Sequence, residues 1–138
     1  MEQRFDPIKD KTAEIIEAIM QSPDIPDDPG LQFKIRLSVE EATENIVQYA
    51  YAEGEGYVVV KTELTPANRL IITLRDEGVP FNPLDKDDPD ITLSAEDRNI
   101  GGLGIFLCKQ LMDKVTYTFE NGCNILTMEK QITTPKNN

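Results

Sequence analysis

Residues 99–115 read NIGGLGIFLCKQLMDKV, with Gly101, Gly102 and Gly104 crowding the front of a run that otherwise has the spacing of a buried helix. Glycine inside a helix costs about 1 kcal/mol relative to alanine, so this start needs a reason. A helix N-terminus presents unpaired N–H groups and roughly half a unit of positive charge. Glycines there let the backbone approach an anion with no Cβ in the way. The stretch reads either as a phosphate cradle or as a flexible loop feeding a core helix. Two common nucleotide folds are excluded. The Lys-Ser/Thr pair of a P-loop is missing, and Gly102-x-Gly104 is followed by Leu107 where a dinucleotide fingerprint needs a third glycine.

The flanking elements are of mixed type. Upstream lies a long polar segment, 76–100, carrying Pro80, Pro83 and Pro89; loops of that length in a compact domain are usually functional or mobile. Before it, 57–64 (YVVVKTEL) and 70–74 (LIITL) form a β hairpin around TPANR. After the glycine helix, VTYTF and NILTMEK form a second hairpin through Glu120-Asn121-Gly122. Asp6-Pro7 has the form of an N-cap and first helical residue, and Ile8, Ile15, Ile16, Ile19 and Met20 then fall on one face of a helix ending near Ser22. SPDIPDDPG is a connecting loop. A second helix runs from 31 to about 52, with Leu31, Ile35, Val39, Ala42, Ile46 and Ala50 as its apolar stripe and Gly54 and Gly56 at its end. The order helix, helix, strand, strand, loop, helix, strand, strand predicts an α+β protein. Its architecture is a two-layer α/β sandwich, a mixed, mostly antiparallel sheet covered on one face by helices. One domain is expected over 1–138, with a frayed tail at about 133–138.

The formal net charge of −11, without any Lys/Arg cluster, argues against direct nucleic-acid binding and against anionic membranes. A polyphosphate ligand would need a cation or oriented N–H groups to offset repulsion. No apolar run approaches the roughly 20 residues of a membrane span, and the first residues lack the pattern of a secretion signal, so a cytoplasmic location is expected. The chain has no histidine, which removes Ser-His-Asp and Cys-His triads, histidine metal sites and a phosphoacceptor histidine together. Any base must be Asp, Glu, Lys or Tyr. Cys108 and Cys123 form no CxxC pair, and Cys108 reads as a reduced core thiol.

Two further stretches carry candidate chemistry. RDEGVPFNP, 75–83, begins where the LIITL strand ends. A carboxylate only accepts hydrogen bonds, so a buried Asp76 would accept one from the adenine amino group and repel the carbonyl oxygen of guanine. Gly78 would let a flat base lie close to the backbone. The plainer reading is an Asp-Glu-Gly turn after a strand. VEEATENIVQYAY, 39–51, places Glu41 and Asn45 four residues apart on one helix face. Asn45 would offer its amide oxygen to Mg²⁺, which takes few protein ligands beside phosphate oxygens. Glu41 would draw a proton from an incoming hydroxyl as general base. The plainer reading is a solvated face. Taken together, the three stretches describe one Mg-ATP site.

Their order resembles the GHKL (Bergerat-fold, histidine-kinase-like) ATPase superfamily and, within it, the small anti-sigma-factor serine/threonine-protein kinases. Glu41-Ala42-Thr43-Glu44-Asn45 matches the N box, Asp76 through Pro83 the G1 box, and Gly101 through Leu107 the G2 box. The resemblance implies ATP and Mg²⁺ as cofactors and Asn45 as metal ligand. It puts Asp76 on adenine, Gly78 and Phe81 beside the base, and Gly101, Gly102, Leu103 and Gly104 at the phosphates. Glu41 occupies the general-base position. It also implies a lid over about 84–100, with Arg98 near the phosphates. Tyr49 stands where the family often has histidine, and Cys123-Asn124 where Gly-Thr is usual, so Asn124 takes the place of a threonine that helps hold adenine through water.

The implied function is an ATP-dependent serine/threonine-protein kinase and anti-sigma factor. Its partners would be an anti-anti-sigma (STAS) protein, phosphorylated on serine, and a sigma factor, with the kinase acting as a homodimer in transcription regulation. The alternative is a non-catalytic binding module switched by ATP or ADP.

Overall fold

The computed structural model describes residues 1–51, 55–85 and 100–132, the side chains of 100–103 aside. Arg98, most of the expected lid (86–99) and the expected tail lie outside the described residues. In chain order the elements are β1 (Glu2–Phe5), α1 (Thr12–Met20), α2 (Pro29–Asn45), β2 (Val58–Leu64), β3 (Arg69–Asp76), α3 (Ile100–Leu111), β4 (Lys114–Glu120) and β5 (Cys123–Gln131). The strands form one five-stranded sheet in the order β1-β2-β3-β5-β4. Its four ladders are antiparallel throughout, so no parallel pairing of the kind "mixed" allows occurs among the described strands.

Alternation along the strands sets the layers. Val58 and Val60 on β2, Leu70, Ile72 and Leu74 on β3, and Leu126 and Met128 on β5 all bury on one face. Against that face pack Ile15, Ile16 and Ile19 of α1, Ile35, Val39 and Ala42 of α2, and Ile105 and Cys108 of α3. Each such aliphatic side chain stabilises the fold by about 1.5–3 kcal/mol, so the glycine-opened helix is anchored from Ile105 onward. No helix among the described residues is long and apolar enough to cross a membrane.

Local signals placed several boundaries. Asp28 caps α2, accepting from the N–H of Gly30 (3.1 Å) and of Leu31 (3.3 Å), with Pro29 opening the helix two residues before the expected start. Asn121 and Gly122 both have positive φ, 53° and 78°, which is the two-residue turn that Asn-Gly favours between antiparallel strands.

The N-terminus departs from expectation. Asp6-Pro7 does not open a helix: residues 2–5 form β1 on the edge of the sheet, and α1 begins only at Thr12, after Lys11, which makes no side-chain cap. Pairing of β1 with β2 and the bond from Ile8 N–H to Gly56 O (2.7 Å) hold this segment to the sheet, and Ile8 enters the core from a loop. The second helix also changes character. After Asn45 it continues as a π-helical turn, Ile46–Ala50.

Candidate functional site

The strand order builds the site. Because β5 inserts between β3 and β4, the last residue of β3, Asp76, lies directly opposite Asn124. Asp76 is 2% exposed. Its Oδ1 accepts two hydrogen bonds, from Asn124 Nδ2 (2.9 Å) and from the Gly78 N–H (2.9 Å). Its Oδ2 accepts none among the described residues. Burial pushes the Asp76 carboxyl above the usual aspartate range, while those two bonds pull it back down.

Asn124 is fully engaged. Its Oδ1 accepts from the Phe81 N–H (3.0 Å) and from the Tyr117 hydroxyl, while Nδ2 donates to Asp76 and to the Val79 carbonyl (2.9 Å). An asparagine amide has two donors and one two-lone-pair acceptor, so no capacity is left for a ligand. The resemblance puts Asn124 in place of a threonine that helps hold adenine through water; in the structure its amide bonds the residues around Asp76.

A second clamp reaches across from the end of α2. The Ala50 carbonyl, at the end of the π-helical turn, accepts from the Val79 N–H (3.1 Å). A Cβ on Gly78 would sit 2.5 Å from that carbonyl oxygen, so the loop fits only with glycine. Tyr51 donates its hydroxyl to the Tyr57 carbonyl (3.0 Å) and accepts from the Glu77 N–H (2.8 Å). A Cβ on Gly56 would run into the Tyr51 ring. π-turns recur at functional sites, and this one ties the helix bearing Asn45 to the loop that follows Asp76. Tyr49, on the same turn, stacks on Phe81 with centroids 4.6 Å apart and planes 18° from parallel.

A pocket opens between these elements, lined by Ala42, Asn45, Asp76, Phe81, Tyr117 and Asn124 among others, with a cavity volume of about 20 Å³. Asn45 and Asp76, far apart in the chain, thus share one cavity. Asn45 Nδ2 is buried with no hydrogen-bond partner among the described residues, the mark of a polar group awaiting a ligand or water. Glu41 lies a turn before Asn45, and its carboxylate lies against α3: a Cβ on Gly104 would sit 2.5 Å from Glu41 Oε2. Burial raises the Glu41 carboxyl above its ordinary value, with Glu40 and Glu44 adding like-charge repulsion. Gly101, Gly102 and Leu103 fall in the first turns of α3, immediately before Gly104. Cys108, one turn beyond, is buried and free, donating from Sγ to the Ser38 carbonyl (3.3 Å), and burial pushes its thiol up to about 12.

Two kinds of residue escaped the sequence reading. Tyr51 and Tyr117 look like ordinary amphipathic positions, and only the tertiary fold brings their hydroxyls to the site. The Ala50 carbonyl accepts from a loop N–H far along the chain, and residues 46–50 carry no local signature of the π-turn that ends there.

The Glu41–Gly104 contact yields a prediction. Gly104→Ala is expected to fold with at least wild-type stability, because alanine gains about 1 kcal/mol of helix propensity and the obstructing atom is the tip of a flexible side chain. The displaced carboxylate moves toward solvent, and its pKa falls toward the ordinary glutamate value. A thermal melt and a carboxyl-carbon NMR titration of Glu41 check both halves; an unmoved titration would show that the two residues do not press on each other.

Known proteins resemble this arrangement. The family profile described as "Histidine kinase-like ATPase domain" matches residues 9–130. "Serine/threonine-protein kinase BtrW" of Bordetella bronchiseptica is 28% identical over 98 residues, covering 71% of this chain and 69% of the relative. "Serine-protein kinase RsbW" of Bacillus cereus is 35% identical over 96 residues, covering 67% of this chain and 59% of the relative. The match thus spans under two thirds of the Bacillus relative's length. Among solved structures, the histidine kinase domain of the Erythrobacter litoralis EL346 blue-light activated histidine kinase superposes with a TM-score of 0.56 at 17% identity, covering 91% of this chain and 61% of that one. At such identity the likeness concerns the fold alone.

Proposed function

The chain belongs to the histidine kinase-like ATPase domain family, and from that premise we propose that it is an ATP-dependent serine/threonine-protein kinase and anti-sigma factor, active in the cytoplasm as a homodimer. It would phosphorylate a serine of an anti-anti-sigma (STAS) partner and bind a sigma factor in regulating transcription. One observation carries the reading: the pocket that holds buried Asp76, with one carboxylate oxygen unengaged among the described residues, is also lined by Asn45. The Bordetella and Bacillus relatives, both named as kinases, support the reaction class.

The residues present fit Mg-ATP. Asp76 Oδ2 is an acceptor for the adenine 6-amino group, and Gly78 keeps the neighbouring backbone free of a Cβ. Asn45 lines the same pocket and would hold Mg²⁺ through its amide oxygen beside phosphate oxygens. Bound Mg²⁺ would neutralise charge on the phosphates. The N-terminus of α3, opened by Gly101 and Gly102, would orient N–H groups on the same charge. Glu41 would accept the proton of the partner's serine hydroxyl as its oxygen bonds to the γ-phosphorus. The bond from that phosphorus to the bridging oxygen breaks, and ADP leaves with the electron pair.

The experiment is to incubate the protein with γ-labelled ATP, Mg²⁺ and candidate STAS-domain proteins, with nucleotide binding measured in parallel. Label on a partner serine is the expected result. ATP binding without transfer to any partner would reject the kinase and leave the nucleotide-switched binding module.

A further inference from the structure

Asn124 lies directly opposite Asp76 in the sheet, and its surroundings give it a task other than holding a base. A threonine hydroxyl brings one donor on a short stem. The Asn124 amide brings two donors and an acceptor in one plane, and all are consumed within the protein. It ties β5 to three successive parts of the loop: the carboxylate of Asp76, the Val79 carbonyl and the Phe81 N–H. Tyr117 on β4 holds the amide from the other side.

We infer that Asn124 is a positioning residue for base selection: by occupying Asp76 Oδ1 and pinning residues 79–81, it presents Oδ2 alone to the 6-amino group of a purine. The inference rests on the ATP reading of the pocket and assigns Asn124 a role at one remove from the ligand. Asp76 reads the base, and Asn124 sets how Asp76 is aimed. Without the Asn124 Nδ2 bond, the carboxylate keeps only the Gly78 N–H and is free to rotate, so either oxygen, or neither, meets the amino group. The triphosphate end of the site does not depend on this bond.

The test compares dissociation constants for ATP and for purine riboside triphosphate, which is the same nucleotide without the 6-amino group. Both are measured by calorimetry on wild type, Asn124→Ala and Asn124→Thr, each with Asp76 or Asp76→Asn, with thermal melts to establish folding. Wild type is expected to prefer ATP. Asn124→Ala is expected to lose about tenfold of that preference, the scale of one misplaced hydrogen bond to a charged group, while its affinity for the purine analogue holds within about threefold. Asn124→Thr should fall between, and it carries the comparison if the alanine variant does not fold. In the Asp76→Asn background, Asn124→Ala should leave the remaining preference unchanged.

Equal loss of both nucleotides in Asn124→Ala would reduce Asn124 to a structural tie and overturn the inference. A preference that still falls in the Asp76→Asn background would mean that Asn124 touches the base itself, which also overturns it. Wild type that binds neither nucleotide would instead reject the ATP reading, and the inference with it.

Discussion

Glu41→Gln is expected to lower phosphoryl transfer by about 10²- to 10⁴-fold while nucleotide affinity stays within about threefold of wild type. Glutamine keeps the shape and loses the ability to take a proton. Glu41 is half-buried on α2, with its carboxylate against the first turns of α3 and a turn from Asn45. Burial raises its pKa from the ordinary 4.5, and the like charges of Glu40 and Glu44 raise it further. A base so raised has more affinity for the serine proton and remains ionised once the pH exceeds its pKa. Transfer should therefore climb along an acidic limb with its midpoint above 4.5 and then level off. Replacing Glu40 and Glu44 together by Gln removes the repulsion, so the midpoint should move down. Transfer undiminished in Glu41→Gln would place the base elsewhere, and a limb that ignores Glu40 and Glu44 would assign it to another group.

What was legible in the sequence was local or periodic. The apolar stripes of α1 and α2, the Asp28-Pro29 start and the Asn121-Gly122 turn are each decided by neighbours within a few positions, so their positions follow from the chain itself. The three motifs also located α2, the loop after β3 and α3 in the right order. What was not legible depends on partners far along the chain. β1 has one buried residue in four and becomes a strand only because β2 has an open edge beside it. Asn124 reaches Asp76, Val79 and Phe81 because β5 crosses to pair with β3 instead of only with its hairpin partner β4. The π-turn is sustained by what it reaches, the Val79 N–H from Ala50 and the Glu77 N–H from Tyr51. A pattern of residue types cannot reveal a carbonyl's acceptor role of that kind.

Gly78→Ala separates loop geometry from base reading. The added Cβ would stand 2.5 Å from the Ala50 carbonyl oxygen and 2.7 Å from the Ala50 Cβ, both rigidly held at the end of the π-turn. Neither can swing away as the Glu41 tip can from Gly104, so the loop itself must move. That movement overpacks the junction and lengthens the Val79 N–H to Ala50 O bond. It is expected to cost about 2–4 kcal/mol, from strain of about 1–3 and the weakened hydrogen bond. The matching fall in Tm is roughly 10 °C for a domain of this size. The same shift drags the Gly78 N–H off Asp76 Oδ1 and strains the bonds from Asn124, so ATP affinity should fall more than tenfold even where the variant is fully folded. Thermal melts and calorimetry at a temperature well below the variant's Tm measure the two effects separately. Wild-type affinity in a destabilised Gly78→Ala protein would mean that the loop relaxes without moving Asp76. The glycine would then serve packing alone, and base recognition would not depend on the clamp from α2.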